Sequence, residues 1–311
     1  MLLTWEMRQI GYSELPDRFE EMLRRLLSIT FVLLLGLLAS CATPSQSFNA
    51  RARLAGLLTK SIVHGDPFDH MAYWNEAALE MRASGGGEVL HVYFDGDGEP
   101  WVAGHPTLDP TPRNPLILRL IALDSAPSVF LGRPCFNGLS ETPQCNYKFW
   151  NDARYSEPVV ASMAAALTRV TKQAGAKRVV LFGASGGGAL AVLIADRLDY
   201  VDGIVTVAAD LDTKAWLDYH QYSGMRESLN PAVDGRRHEA QHSYVFERHY
   251  SGGRDQEVPT DTVLKGLRSQ NDLIVIPNYD HNCCWADIWP QVLADVSDLT
   301  DKVPAASSSS R

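Results

Sequence analysis

Arg178-Val179-Val180-Leu181-Phe182-Gly183-Ala184-Ser185-Gly186-Gly187-Gly188-Ala189-Leu190-Ala191-Val192-Leu193 decides the fold of this 311-residue chain. The short, continuously apolar run 178–182 predicts a strand buried on both faces, and the apolar run beyond Gly188 predicts a helix. Between them lies Gly-x-Ser-x-Gly. A serine on so sharp a strand-to-helix turn has a strained backbone, and Gly183 and Gly187 lack the Cβ atoms that would hold strand and helix apart. A glycine-rich anion-binding turn at a helix N-terminus has the same local pattern. No lysine stands in the P-loop position, however, and no second-strand acid marks a dinucleotide site.

A serine hydroxyl needs a base to take its proton, and imidazole titrates near neutrality. The segment 272–276 predicts a last strand, and Pro277-Asn278-Tyr279-Asp280-His281 follows it ahead of a final helix, which makes His281 the candidate base. A third group must fix the imidazole tautomer and stabilise the imidazolium. The predicted strand 243–250 leads into Ser251-Gly252-Gly253-Arg254-Asp255 before Pro259, which presents Asp255 in the order Ser, acid, His. Asp210 and Asp212, after the predicted strand 203–207, are alternative acids.

Outward from this core the pattern alternates. Strands are predicted at 89–94, 128–131, 178–182, 203–207, 243–250 and 272–277, and helices at 158–173, 188–198, 260–268 and 285–296. That alternation implies an α/β fold with a mostly parallel central sheet flanked by helices. Two insertions, 96–126 and 208–242, interrupt it. The second, with Trp216, Tyr219, His220, Tyr222 and Pro231, is a candidate cap over a substrate pocket or else a surface excursion. Trp101, Trp216 and Trp285 are candidate pocket walls or core residues.

These residues resemble the α/β-hydrolase fold family, over most of residues 85–298, through Gly183-Ala184-Ser185-Gly186-Gly187, Gly253-Arg254-Asp255 with Val258-Pro259, and Asp280-His281. The resemblance implies an oxyanion hole made by the N–H of Gly186 and by one from an early turn, here Phe94-Asp95-Gly96-Asp97-Gly98, with Gly96 or Asp97 the donor. This turn is similar to the family's H-G-D-G turn but carries Asp95 in place of the histidine. The implied activity is a serine esterase, carboxylesterase- or lipase-like, acting on a small-molecule or lipid-like acyl substrate with no cofactor and no metal. A peptidase, thioesterase or acyltransferase can use the same residues. A surface-anchored binding protein that kept the fold without catalysis is a further alternative, suggested by Asp95 and the long insertions.

Ahead of this domain, Arg24-Arg25 precede an apolar run 26–38 that is too short to span a bilayer and ends in Leu38-Ala39-Ser40-Cys41. The run reads as an export signal, and its end resembles the lipobox of bacterial lipoproteins. The expectation is an upstream extension at 1–21, a signal peptide at 22–40, a lipidated Cys41 and a polar tether at 41–50. A domain at 51–300 and a flexible tail at 301–311 complete it. Such a chain is exported and anchored to the bacterial cell envelope, with a membrane surface as its partner. Export permits disulfides. Cys135 and Cys145 flank a Gly-, Ser- and Pro-containing loop and are expected to bridge, while adjacent Cys283 and Cys284 are either a vicinal bridge or two thiols. With 28 Lys+Arg against 37 Asp+Glu, the net charge of −9 gives no electrostatic reason to bind nucleic acid.

Overall fold

A computed structural model of the chain describes residues 22, 24–28, 42–235 and 246–302. The chain divides into two compact units, Met1–Ala42 and Thr43–Arg311. In the first, residues 24–28 are helical. Cys41, the upstream extension at 1–21 and most of the apolar run lie outside the described residues, as do 236–245 and the tail from 303. No helix among the described residues is long and apolar enough to cross a membrane.

The second unit is built on one eight-stranded sheet. Its strands are β1 (Leu57–His64), β2 (Asp69–Asn75), β3 (Gly87–Phe94), β6 (Ser128–Leu131), β7 (Ala176–Ala184), β8 (Val201–Val207), β9 (Phe246–Gly252) and β10 (Leu273–Ile276). A short hairpin, β4 (Trp101–Val102) with β5 (His105–Pro106), stands apart. The order across the sheet is β1-β2-β6-β3-β7-β8-β9-β10. Pairing is parallel from β6 through β10, and antiparallel only for β1 with β2 and β2 with β6. The α/β architecture read from the sequence is therefore present, with β1 and β2 added to its edge.

Alternation along the central strands sends side chains to two cores. Leu90, Val92, Val179 and Leu181 face one, which is closed by α2 (Glu76–Ala83), α4 (Glu157–Ala174) and α5 (Gly186–Ala195). Tyr93, Val180 and Phe182 face the other, closed by α1 (Pro44–Leu54), α3 (Leu116–Ile121) and the helix Trp285–Asp301. Every residue of α5 is buried, so this helix is apolar all round. Helix α4 is amphipathic and stops at Gly175, whose left-handed φ of 71° suits a residue without Cβ.

Helix α1 corrects the sequence reading. Residues 42–50 were expected to be a polar tether, yet Thr43 and Gln46 form a capping box and Pro44 opens a helix that packs on the domain. Phe48 and Ala52, one helical turn apart, are fully buried, and Ser45 Oγ donates to Asp109 Oδ1 at 2.9 Å. Burial of a Phe side chain contributes about 1.5–3 kcal/mol, so two small apolar positions suffice to draw an otherwise polar segment onto the core.

Candidate active site

Strand β7 delivers Ser185 to the C-terminal edge of the sheet. Ser185 has φ 52° and ψ −127°, a conformation costly for a residue with a Cβ, and α5 begins at the next residue. The close approach that permits this turn depends on glycine: a Cβ on Gly183 would strike the Gly187 carbonyl, and one on Gly187 would strike the carbonyls of Phe94 and Asp95. Ser185 N–H donates to the Val207 carbonyl of β8 at 3.0 Å, which fixes the turn against the neighbouring strand.

The loop after β10 brings His281 to this serine. His281 Nε2 lies 3.1 Å from Ser185 Oγ, and His281 Nδ1 lies 2.9 Å from Asp255 Oδ2. The Asp255 carboxylate is enclosed; its Oδ1 accepts from the N–H groups of Glu257 and Val258 at 2.9 and 2.8 Å. A carboxylate on Nδ1 holds the proton on that nitrogen and leaves Nε2 as the acceptor that faces the serine. Trp285, a candidate for either pocket wall or core, is a core residue at 1% exposure. Its indole N–H donates to the carbonyls of Asp280 and His281 at 3.1 and 3.2 Å, so it supports the histidine loop from beneath.

The alternative acids are placed elsewhere. Asp212 caps α6 (Thr213–His220), its Oδ1 accepting from the N–H groups of Lys214 and Ala215 at 3.1 Å and from Asn230 Nδ2 at 2.9 Å. Asp210 is buried beside the pocket and has no hydrogen bond to His281. The chain leaving β8 turns through Ala208, at φ 49°.

The turn after β3 lies against the serine: a Cβ on Gly96 would sit 3.1 Å from Ser185 Cβ. The N–H of Gly96 already donates to Asp95 Oδ1 at 3.0 Å, and its carbonyl accepts from Arg133 Nη1 at 3.3 Å. Of the two donors expected from this turn, Gly96 is thus committed to Asp95. Among the hydrogen bonds of the described residues, the Asp97 N–H has no protein acceptor. Gly186, first residue of α5, likewise has no intrahelical acceptor for its N–H.

The carboxylate of Asp97 is clamped by residues that sequence reasoning missed. Arg133 Nη1 pairs with its Oδ1, Arg154 Nη1 with its Oδ2 at 2.7 Å, and the Tyr155 hydroxyl reaches both oxygens at 2.7 and 2.8 Å. Burial alone pushes the Asp97 carboxyl up, but the Arg154 and Arg133 guanidiniums overcome it and hold it well below the usual carboxylate range. A side chain on Gly186 would strike this carboxylate and the Tyr155 hydroxyl. No local signal points to Arg133 and Arg154, since they lie 36 and 57 positions from Asp97 in the chain. Asp95, the replacement for histidine, is buried; desolvation pushes its carboxyl up to about 7 against the opposing pull of the Gly96 and Ile117 N–H groups and of Arg133.

No family model matches the chain, and no curated protein does. Solved structures do. A bacterial membrane phospholipase A described as a virulence factor superposes with TM-score 0.52 at 15% identity, over 92% of this chain and 98% of that one. Est1E from Butyrivibrio proteoclasticus, with ferulic acid bound, gives 0.52 at 11% identity over 78% of this chain and 100% of its own. Pyrococcus horikoshii acylaminoacyl peptidase gives 0.54 at 11% identity over 80% of this chain but 42% of its own. The likeness is one of fold. This chain has the α/β-hydrolase fold.

In this α/β-hydrolase fold the serine opens into a cavity of about 770 Å³. Its walls come from the turn after β3, the hairpin residue Trp101, the start of α3, the loops around Arg154 and Asp210, and His281. The segment expected to cap the pocket contributes Trp216, Leu217, Tyr222 and Met225 to one wall; its residues 236–242 lie outside the described ones. Of the three tryptophans that were candidates for wall or core, Trp101 and Trp216 line the cavity. Cys135 and Cys145 are bridged as the sequence predicted, and the open choice at Cys283 and Cys284 resolves as a vicinal bridge across a cis peptide.

Proposed function

We propose that the protein is a serine hydrolase that cleaves carboxylic esters through an acyl-enzyme. The observation that carries this reading is the continuous relay from Asp255 Oδ2 through His281 to Ser185 Oγ at 2.9 and 3.1 Å. Both distances lie within the reach a nucleophile and its base require. Ser185 Oγ attacks the ester carbonyl while His281 Nε2 takes its proton, and Asp255 stabilises the imidazolium without accepting that proton. The oxygen that becomes negative is met by the N–H groups of Asp97 and Gly186, each worth roughly 3 kcal/mol in the transition state. Collapse expels the alcohol, which takes the proton from His281. Water then attacks the acyl-serine with the same histidine as base, and the acid is released.

The test is intact mass after treatment with a fluorophosphonate, beside turnover of p-nitrophenyl esters of rising acyl length, for the wild type and Ser185→Ala. One adduct and measurable turnover, both lost in the variant, are expected. A folded wild type that takes no adduct overturns the catalytic reading in favour of a binding protein.

We also infer, from Arg24-Arg25, the apolar run and Leu38-Ala39-Ser40-Cys41, that the chain is exported and lipid-anchored through Cys41 in a bacterial envelope. Incorporation of an alkyne-tagged fatty acid that disappears in Cys41→Ser supports the anchor; equal incorporation in both forms, or none in either, refutes it.

A further inference from the structure

One carboxyl in the cavity has no task in the ester cleavage. Asp210, 5% exposed, lies on the loop after β8 and lines the same cavity as Ser185. Its Oδ1 is buried without a hydrogen-bond partner, and no donor among the described residues is hydrogen-bonded to its other oxygen. An acceptor left unmade in a protein interior is costly, and a carboxyl that lines a cavity without a protein donor is open to one that arrives with the ligand.

The surroundings select the charge of that donor. The charged groups that act on Asp210 are Asp97 on the turn after β3, Asp212 on its own loop and Arg154 on the loop before α4. Burial first, then the Asp97 and Asp212 carboxylates, push the Asp210 carboxyl well above the usual range, and the Arg154 guanidinium opposes them without prevailing. The field at this oxygen therefore favours positive charge, which a proton supplies when the cavity is empty. Arg154 is not free to move in, because its Nη1 holds Asp97 Oδ2 at 2.7 Å and its Nε donates to the Asn151 carbonyl at 2.6 Å. The rings of Trp216 and Tyr222 pack edge to face at 5.4 Å on the same cavity and suit a cation. The Trp216 indole N–H is fixed on the Glu257 carbonyl at 2.7 Å.

We propose that Asp210 is a specificity-determining residue and that the cavity takes esters bearing a protonated amine, whose ammonium donates to the Asp210 carboxyl. The inference rests on the hydrolase reading above and names its substrate class. No covalent step is involved: on binding, the carboxyl releases its proton to solvent and the ammonium takes the proton's place. Substrates with a carboxylate at that position are disfavoured by the same field.

The experiment compares kcat/KM of the full chain for p-nitrophenyl 6-aminohexanoate, heptanoate and heptanedioate, which place an ammonium, a methyl or a carboxylate on the same length of acyl chain. A second pair, 4-aminobutyl and pentyl heptanoate, moves the charge to the alcohol side. The expected result is a preference of about tenfold or more for the ammonium over the methyl in one of the two series, with the carboxylate last. In Asp210→Asn the ammonium-to-methyl ratio falls towards one. A ratio of one in both series, or a preference that survives in Asp210→Asn, overturns the proposal.

Fluorophosphonate labelling of the same preparation separates the two readings: labelled protein with a flat charge profile is a failure of this inference alone. If no label is taken, the hydrolase reading fails, and calorimetric titration with hexylammonium decides this one. Binding that releases a proton and is lost in Asp210→Asn supports it, and absence of binding overturns it.

Discussion

Two carboxyl groups at the same end of the sheet, Asp97 and Asp210, have opposite fates. Both lie on the cavity wall, within each other's field. Asp97 is met by two guanidiniums and a phenol and stays ionised; Asp210 has one oxygen without a donor and is pushed towards its neutral form. The difference teaches how the site divides its labour. The turn after β3 lies against Ser185, and the cluster of Asp97 with Arg133, Arg154 and Tyr155 makes that turn rigid. The loop after β8 holds nothing for the serine and can keep an acceptor open.

The sharpest way to break the comparison is to make the same change on both sides. Asp97→Asn leaves Arg133 and Arg154 as buried cations without their carboxylate, and loss of one partner from such a cluster costs about 3–5 kcal/mol. Asp210→Asn keeps the size of the side chain and removes only an ionisation that the site opposes. Urea unfolding at pH 8 should therefore show a large loss for the first and no loss, or a gain, for the second. Equal losses would sink the distinction.

Asp95 lies between these extremes and can be separated from them by pH. Its carboxyl rises to about 7 in the folded protein from an ordinary value of 3.8, chiefly through desolvation. Between those two values the folded state binds a proton that the unfolded chain has lost, so this residue lowers stability as pH rises through the window, and the penalty is constant above it. Asp95→Asn keeps an acceptor for Gly96 N–H and cannot ionise. Its stability relative to wild type should grow from pH 4 to pH 7 by at most about 4 kcal/mol, then level off. A difference independent of pH in urea titrations would mean that Asp95 is ionised throughout.

Legibility in the sequence follows the range of each interaction. Ser185, His281 and Asp255 were readable because each sits where a strand ends, and strand and turn chemistry are local signals. Which of Asp255, Asp210 and Asp212 meets His281 is a long-range matter that local signals do not carry; Asp255 Oδ2 is the carboxyl oxygen at Nδ1. Strands β1 and β2 escaped notice. Most of β1 is exposed at the sheet edge, so it lacks the apolar alternation that marks a half-buried strand. The first part of α1, up to residue 50, reads as a tether because the buried apolar stripe of the helix is only Phe48 and Ala52. The clamp on Asp97 left no local trace, for Arg133 and Arg154 meet it from 36 and 57 positions away.

The bridge between Cys135 and Cys145 sharpens the comparison by acting on one side of it. Cys135 is fully buried two residues beyond Arg133, whose guanidinium lies 5.2 Å from the centroid of the Phe136 ring. That ring in turn closes on the turn after β3, where a Cβ on Gly98 would come within 3.0 Å of it. Closing a loop of sequence separation 10 restricts the unfolded chain by about 3 kcal/mol in the chain-entropy account. Cys135→Ser with Cys145→Ser should lower stability by that amount, and the loosening should be local in the native state. Amide exchange should quicken at residues 133–137 and 96–98, where the Arg133 clamp loses its footing, and stay unchanged at 209–212. Faster exchange at 209–212 as well would mean that the two carboxyl sites share one cooperative unit, and that the open acceptor on Asp210 depends on the clamp around Asp97 rather than standing apart from it.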